Sequence, residues 1–501
     1  MSKLHKDVLS LIFEELQDDK KSLYSCLLVN RFWCETAVSI LWKDPWTFLM
    51  KRGLMKFYKA KLFFNTILLH LSEDSRKFLQ NKGIKLPQQQ EPLLFNYITF
   101  CKFIKHRYSY NENIYEEIFG DYLIEEIYKL FISKCTSLKF LDVTRINYPI
   151  YNYPGAENSL SYLNELHCKS DDDPTLFYGL SQYCKHIKKF YIEHKFPNPG
   201  LAKLIEIQRN VKYISININD DEYDTDDNDK LINLQNKYQF IGQSIIKHAY
   251  NIIYLSIIID KDIVFFNNLL PKLINLKSLS LDGYLFNKFD EQLNFSSSYY
   301  PKLQVLKLNS IYYSTAIKII KKTDENCQII WIENMKIDSK DDFRQFIQII
   351  FQYCPNLKYV KIVLMEQDLE NFKKLLINCE YLEGIYIEIG GQYSITWPNY
   401  RLFDILIKYS PITLYKIQFH YHKLDMVYLE FFFGKWKGRK SLHLYLCETY
   451  KRSNLFSYHI NKRLIELIEK YKNENVIKNY EINKEFRFIE DYEEFNKLTF
   501  R

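Results

Sequence analysis

The chain has 501 residues, of which 68 are Lys or Arg and 61 Asp or Glu, for a formal net charge of +7, and 47% are hydrophobic. That apolar content supports an extended core and argues against intrinsic disorder, while the evenly mixed charge lacks the basic stripe of a nucleic-acid surface. Thirteen glycines, with Gly390-Gly391 the one adjacent pair and no G-x-G-x-x-G or G-x-x-x-x-G-K run, exclude a phosphate-cradling loop.

The first residues, Met1 to Asp7, carry no apolar h-region after a basic n-region, so no secretion signal is expected. No run of eighteen apolar residues exists, which excludes an ordinary membrane helix. A soluble protein of the cytoplasm, the nucleus or both is expected. The ten cysteines include no C-x-x-C pair and read as reduced thiols.

Leu4, Val8, Leu9, Ile12, Phe13 and Leu16 recur at three- and four-residue steps and predict a helix. Asp18-Asp19 interrupts it, and Ser22 is the expected cap of a second helix through Leu23, Cys26, Leu27 and Val29. Asn30 separates this from a third helix that ends before Asp44-Pro45. Three helices in so short a stretch are near the lower limit of independent stability, so part of their surface is expected to need a partner.

The ordered set Leu4-x-x-Asp7-Val8-Leu9-x-x-Ile12-Phe13-x-x-Leu16, then Ser22-Leu23, Leu28-Val29-Asn30-Arg31-x-Trp33 and Leu41-Trp42, resembles an F-box over residues 3–46. His5 stands where that family usually has proline, and Leu28 to Glu35 resembles a form found among fungal F-box proteins. F-boxes dock on the Skp adaptor of cullin-RING ubiquitin ligases. The resemblance implies Skp-adaptor binding through Leu4, Val8, Leu9, Ile12, Phe13, Val29, Arg31 and Trp33.

Residues 47–130 read as a helical connector, broken by a proline- and glutamine-rich loop at Lys85–Pro92. From about residue 130 the pattern L-x-x-L-x-L recurs, starting at Leu138, Leu163, Ile187, Val211, Ile252, Leu276, Leu303, Leu357, Leu382 and Leu414. Most steps are 24 to 27 residues, with an insertion after Val211 and a degenerate copy near Ile330. A strand plus a helix per 24–28 residues is the signature of a leucine-rich repeat. Helical patterns such as Phe343–Cys354, Leu369–Cys379 and Tyr400–Tyr409 fall between the strands.

Between the second and third apolar positions stand Asp142, His167, Tyr191, Ser215, Ser256, Ser280, Lys307, Lys361, Tyr386 and Gln418, all polar or polar-tipped. Alternation of this kind buries one face of each strand and leaves the other in water. Cys135, Cys184, Cys354 and Cys379 each precede the first apolar position by three residues, and Cys327 precedes Ile330 likewise. This is a packing column, which matches the longer, cysteine-containing repeats that often follow an F-box.

Other chemistry finds little support. The acidic run Asp220–Asp229 lacks the glycine and glutamate of a calcium loop and reads as an insertion. His420 and His422 have no third ligand, and no nucleophile motif of the G-x-S-x-G kind exists. No cofactor, metal or catalytic residue is expected.

The fold expected is α/β: a three-helix F-box (1–46), the connector (47–130), a leucine-rich-repeat solenoid of roughly twelve repeats (131–450), strands inside and helices outside, and a C-terminal cap (451–501) with a helix near Ile460–Tyr471. The function expected is a non-catalytic, substrate-recognising adaptor of a Skp–cullin–F-box ubiquitin ligase, with neither nucleic acid nor membrane as partner. An unidentified target protein would be read by His167, Tyr191, Lys307, Lys361, Tyr386 and Gln418, flanked by Lys189, Glu193, Lys416 and His420. The alternative is a leucine-rich-repeat scaffold or sensor whose N-terminal helices merely cap the stack.

Overall fold

The computed structural model describes residues 6–17, 19–46, 55–88, 93–105, 113–144, 146, 148–218, 239–258, 263–283, 298–337, 341–389, 400–421, 425–448 and 462–482. Leu4, the acidic run at 220–229, Gly390-Gly391 and His422 lie outside them. The chain forms two compact units, Met1–Ile252 and Ile253–Arg501.

The first unit begins with α1 (Lys6–Glu15), α2 (Lys20–Cys26) and α3 (Arg31–Leu41). The cap of α2 is Asp19 rather than Ser22: its carboxylate accepts the Ser22 N–H at 3.2 Å and the Ser22 hydroxyl at 2.6 Å. Helix formation three residues earlier than the sequence suggests follows from that reach, because a carboxylate satisfies the free N–H groups of a first turn. Asn30 caps α3 in the same way, accepting the Trp33 N–H at 2.9 Å. Leu9, Phe13, Leu23, Cys26, Ala37 and Leu41 form the shared core of the three helices.

Five strands follow among the described residues of the same unit: β1 (Phe103–Ile104), β2 (Phe140–Asp142), β3 (Glu165–Lys169), β4 (Lys189–His194) and β5 (Tyr213–Ile218). Each pairs with the next in parallel. The connector is therefore not helical throughout, since β1 already supplies a rung. The sequence hides it because Cys101, opposite Leu138, fills the place of the first leucine.

The second unit carries β6 (Tyr254–Ile258), β7 (Ser278–Asp282), β8 (Val305–Asn309), β9 (Ile329–Glu333) and β10 (Tyr359–Leu364). It continues with β11 (Gly384–Ile389), β12 (Lys416–Tyr421), β13 (Leu442–Glu448) and β14 (Ile477–Ile482). These also pair in chain order and in parallel. The repeat thus runs past Leu414 by two strands, and β14 falls where a cap was expected. Helices such as Asp342–Tyr353, Leu369–Asn378 and Tyr400–Tyr409 stand between the strands.

The apolar positions of the rungs from β2 to β13 are packed away, for example Leu138, Leu141 and Val143, or Leu276, Leu279 and Leu281, whereas Tyr480 and Ile482 of β14 are half-buried. Each such side chain contributes about 1.5–3 kcal/mol, so stability accrues rung by rung. One assignment changes. Lys307 faces Trp331 and Leu306 faces Ile330, so Ile330 is a second apolar position and Cys327 takes the first. Trp331 is the polar-column residue of that rung, and the cysteine column proper is Cys135, Cys184, Cys354 and Cys379.

Those thiols are buried and unpaired by disulfides. Burial pushes Cys184 and Cys379 up to about 12 and Cys168 well above the ordinary thiol range. Cys354, hydrogen-bonded to the Cys327 thiol as well as buried, is raised too. Thiols held in the protonated form are poor nucleophiles, which fits a packing role for Cys168, Cys184, Cys354 and Cys379.

Candidate interaction surfaces

The apolar stripe of α1 divides in two. Leu9 and Phe13, expected on the docking face, are each 1% exposed and belong to the core. Trp33 is half-buried with its ring edge-on to Phe13 at 5.4 Å, so it too serves mainly the interior. The spacing of Leu4 to Leu16 covers too wide an arc to distinguish these residues from their neighbours. What remains outside is Val8, Leu11 and Ile12, one turn-to-turn face of α1, with Leu11 63% and Ile12 45% exposed. Leu28, 89% exposed, Val29 and Phe32 are exposed at the turn from α2 into α3. Arg31 projects from the start of α3 and pairs with Glu35 at 3.2 Å. Leu11, Leu28 and Phe32 were missed in the sequence; their exposure depends on which side of each helix meets the core.

The polar column is in register, as the cross-strand partners His167–Tyr191, Tyr191–Ser215, Ser256–Ser280, Ser280–Lys307, Tyr386–Gln418 and Gln418–Tyr445 establish. It is not uniformly wet. In the first unit His167 and Tyr191 are half-buried, their rings 4.1 Å apart within a run that continues to Phe140 and Tyr213. Lys189 and Glu193 of β4 reach Glu165 at 2.8 Å and Lys169 at 3.9 Å on β3.

In the second unit Lys307 is half-buried between Ser280 and Trp331, whereas Lys361, Tyr386 and Gln418 are buried. The expectation of open, solvated side chains fails there because aromatic rings cover them. Trp331 and Tyr386 meet edge-to-face at 5.5 Å, and the Lys361 ammonium lies 4.5 Å from the Tyr386 ring and 5.4 Å from Trp331. Glu333, 3.7 Å away, balances its charge. Tyr359 donates to Glu383 at 2.9 Å and receives the Lys416 ammonium over its ring at 5.6 Å. His420 of β12 lies 6.3 Å from the Tyr386 ring. The structure therefore gathers Lys361, Tyr386 and Gln418 into one site, joined by Trp331, Tyr359 and Tyr445. Counting Cys327 as a hydrophobe 24 residues after Leu303 would have revealed Trp331.

Parallel rungs at a regular period, with a buried apolar triplet recurring from β2 to β13, decide the architecture. It is a leucine-rich-repeat fold. No family model and no curated protein matches the chain. Among solved structures, a chain of the Rad7 and Elc1 complex in yeast is 12% identical, with 93% of this chain and 100% of that chain covered and a TM-score of 0.44. The leucine-rich repeat-containing protein LegL7 from Legionella pneumophila is also 12% identical, covering 59% of this chain and 86% of its own, with a TM-score of 0.30. Among the described residues no helix is long and apolar enough to cross a membrane.

Proposed function

We propose that this chain is a non-catalytic adaptor of a Skp–cullin–F-box ubiquitin ligase, in which the N-terminal helices bind the Skp-type adaptor and the repeat stack holds a target protein. The supporting observation is the divided α1 stripe. Three helices whose inner residues already complete a core still present Val8, Leu11, Ile12, Leu28, Val29 and Phe32 to solvent. Exposed apolar groups gathered on short elements mark a surface that another polypeptide covers. The docking set on this reading is Val8, Leu11, Ile12, Leu28, Val29, Arg31 and Phe32, with Leu4 preceding them; Leu9, Phe13 and Trp33 support it from within.

The chemistry would be proximity alone. Holding a target's lysines near a ubiquitin-charged enzyme removes much of the translational cost of a bimolecular encounter, with no residue of this chain on the reacting bond. Such an assembly would act in the cytoplasm or nucleus.

Binding of the full-length chain to a purified Skp-type adaptor tests the reading. Ile12→Asp with Leu28→Asp should weaken binding about 100-fold or more with the thermal unfolding profile unchanged. Leu9→Asp should instead unfold the three helices, because it places an unpaired charge in their core. Failure of the wild-type chain to bind, or equal binding by the double variant, refutes the proposal.

A further inference from the structure

Two buried glutamines of this chain differ in a way that packing does not explain. Gln208 makes the bonds expected of a structural residue: Oε1 accepts the Ile187 N–H at 2.9 Å, and Nε2 donates to Cys184 O at 2.9 Å and Leu204 O at 2.7 Å. Gln418 is 2% exposed, yet neither its Oε1 nor its Nε2 has a hydrogen-bond partner among the described residues. Buried polar groups are nearly always paired, and an orphaned one calls for an explanation.

Its position supplies one. Gln418 sits in the polar column between Tyr386 of β11 and Tyr445 of β13, and it lines a recess with both tyrosines, Trp331, Tyr359 and Lys416. Gly384 shapes the wall, since a Cβ there would lie 2.6 Å from the Tyr359 ring. The cavity is small, about 20 Å³, enough for the tip of a side chain and too little for a purine or sugar ring. The nearby charges are already engaged, Lys361 by Glu333 and two rings and Lys416 by Tyr359. The group left to be satisfied is thus neutral, planar and needs a donor and an acceptor side by side.

We propose that the Gln418 recess is a carboxamide subsite that takes the Asn or Gln side chain of a target protein's extended segment. A primary amide answers both atoms of Gln418 at once, N–H to Oε1 and C=O to Nε2. A carboxylate offers acceptors only and an ammonium donors only, so each leaves one buried atom orphaned. The flanking tyrosine and tryptophan rings supply flat walls for a planar group, and selection against isosteres arises because an analogue lacking the amide leaves Gln418 unpaired. This rests on the target-holding half of the adaptor reading and names the chemistry of its site.

The test pans a random twelve-residue peptide library on the full-length wild-type chain and on Gln418→Leu in parallel, with Skp-adaptor binding measured separately on both. Wild type should enrich peptides with Asn or Gln at one fixed position. Changing that residue to Asp or Leu in a synthetic peptide should cost at least about tenfold in affinity by fluorescence anisotropy, and Gln418→Leu should lose the enrichment while melting no lower than wild type. Peptides captured without an amide at a fixed position, or captured equally by Gln418→Leu, overturn the subsite and leave the target-holding role standing. Capture of no peptide overturns both, and unchanged Skp-adaptor binding would then keep the N-terminal half of the reading separate.

Discussion

Replacing Gln418 by leucine should make the protein more stable, and the same replacement at Gln208 should make it less so. Both side chains are buried, 2% and 4% exposed, and leucine has a similar volume. At Gln418 the change removes two polar atoms that have no partner among the described residues, and an unpaired buried amide costs about 1–3 kcal/mol. The recess has room for one water, which relieves part of that cost. The expected gain is therefore about 1 kcal/mol, or roughly 2–4 °C in Tm for a unit of this size. At Gln208 leucine orphans the Ile187 N–H and the carbonyls of Cys184 and Leu204, with an expected loss of about 2–4 kcal/mol. Urea unfolding of the full chain, followed by circular dichroism alongside a thermal scan, reads both changes. Long repeat arrays can lose two-state behaviour, so the slope of the urea transition must match wild type before midpoints are compared. A fall in stability for Gln418→Leu comparable to that for Gln208→Leu would refute the claim that Gln418 is unpaired.

Asp172 accepts the Lys169 N–H at 3.1 Å, and burial pushes its carboxyl up to about 7. Its folded pKa lies above the unfolded value, so the unfolded chain gives up the proton first and stability falls as pH rises from about 4 to 7. Asp172→Asn should therefore gain on the order of 1 kcal/mol over wild type at pH 7.5 and almost nothing at pH 4; an equal difference between urea midpoints at both pH values would contradict this. Gly384→Ala would set a methyl 2.6 Å from the Tyr359 ring, and a loss of about 1–3 kcal/mol is expected by the same unfolding assay. The buried thiols of Cys168, Cys184, Cys354 and Cys379 should resist iodoacetamide at pH 7.5 in the native protein and react once urea unfolds it, as peptide mass spectrometry would record.

Strand positions were legible because a leucine pattern with period-two alternation admits one burial pattern, and the outer helices followed from their own periodicity. The β1 rung escaped and the β9 rung reads one apolar position out of register, both for a local reason. Cys101 and Cys327 fill places that leucine marks elsewhere, and a cysteine reads as a hydrophobe only after its register is known. Burial within the polar column could not be read from one repeat. Lys361 and Tyr386 are covered by rings from neighbouring rungs, which are distant in sequence. The same holds at the N-terminus, where the periodicity identified α1 but could not say that Leu9 and Phe13 point inward while Leu11 and Ile12 do not. Gln418 stands in the polar column and Gln208 three residues before Val211, but only the groups opposite them show which of the two is paired.

The register also separates two kinds of change in chain length. β4 and β5 stay aligned across residues 195–212, β7 and β8 across 283–304, and β11 and β12 across 390–415, although these connections are 18, 22 and 26 residues long. Residues added at the exposed ends of such a connection, outside any buried helix, leave the strand register unchanged. One residue gained within a strand would instead turn leucines outward and column residues inward. Length changes in this chain are thus better absorbed in the joints, outside buried positions such as Leu201, Leu204 and Gln208, than in the rungs, so new specificities would arise by exchanging side chains along a fixed ruler.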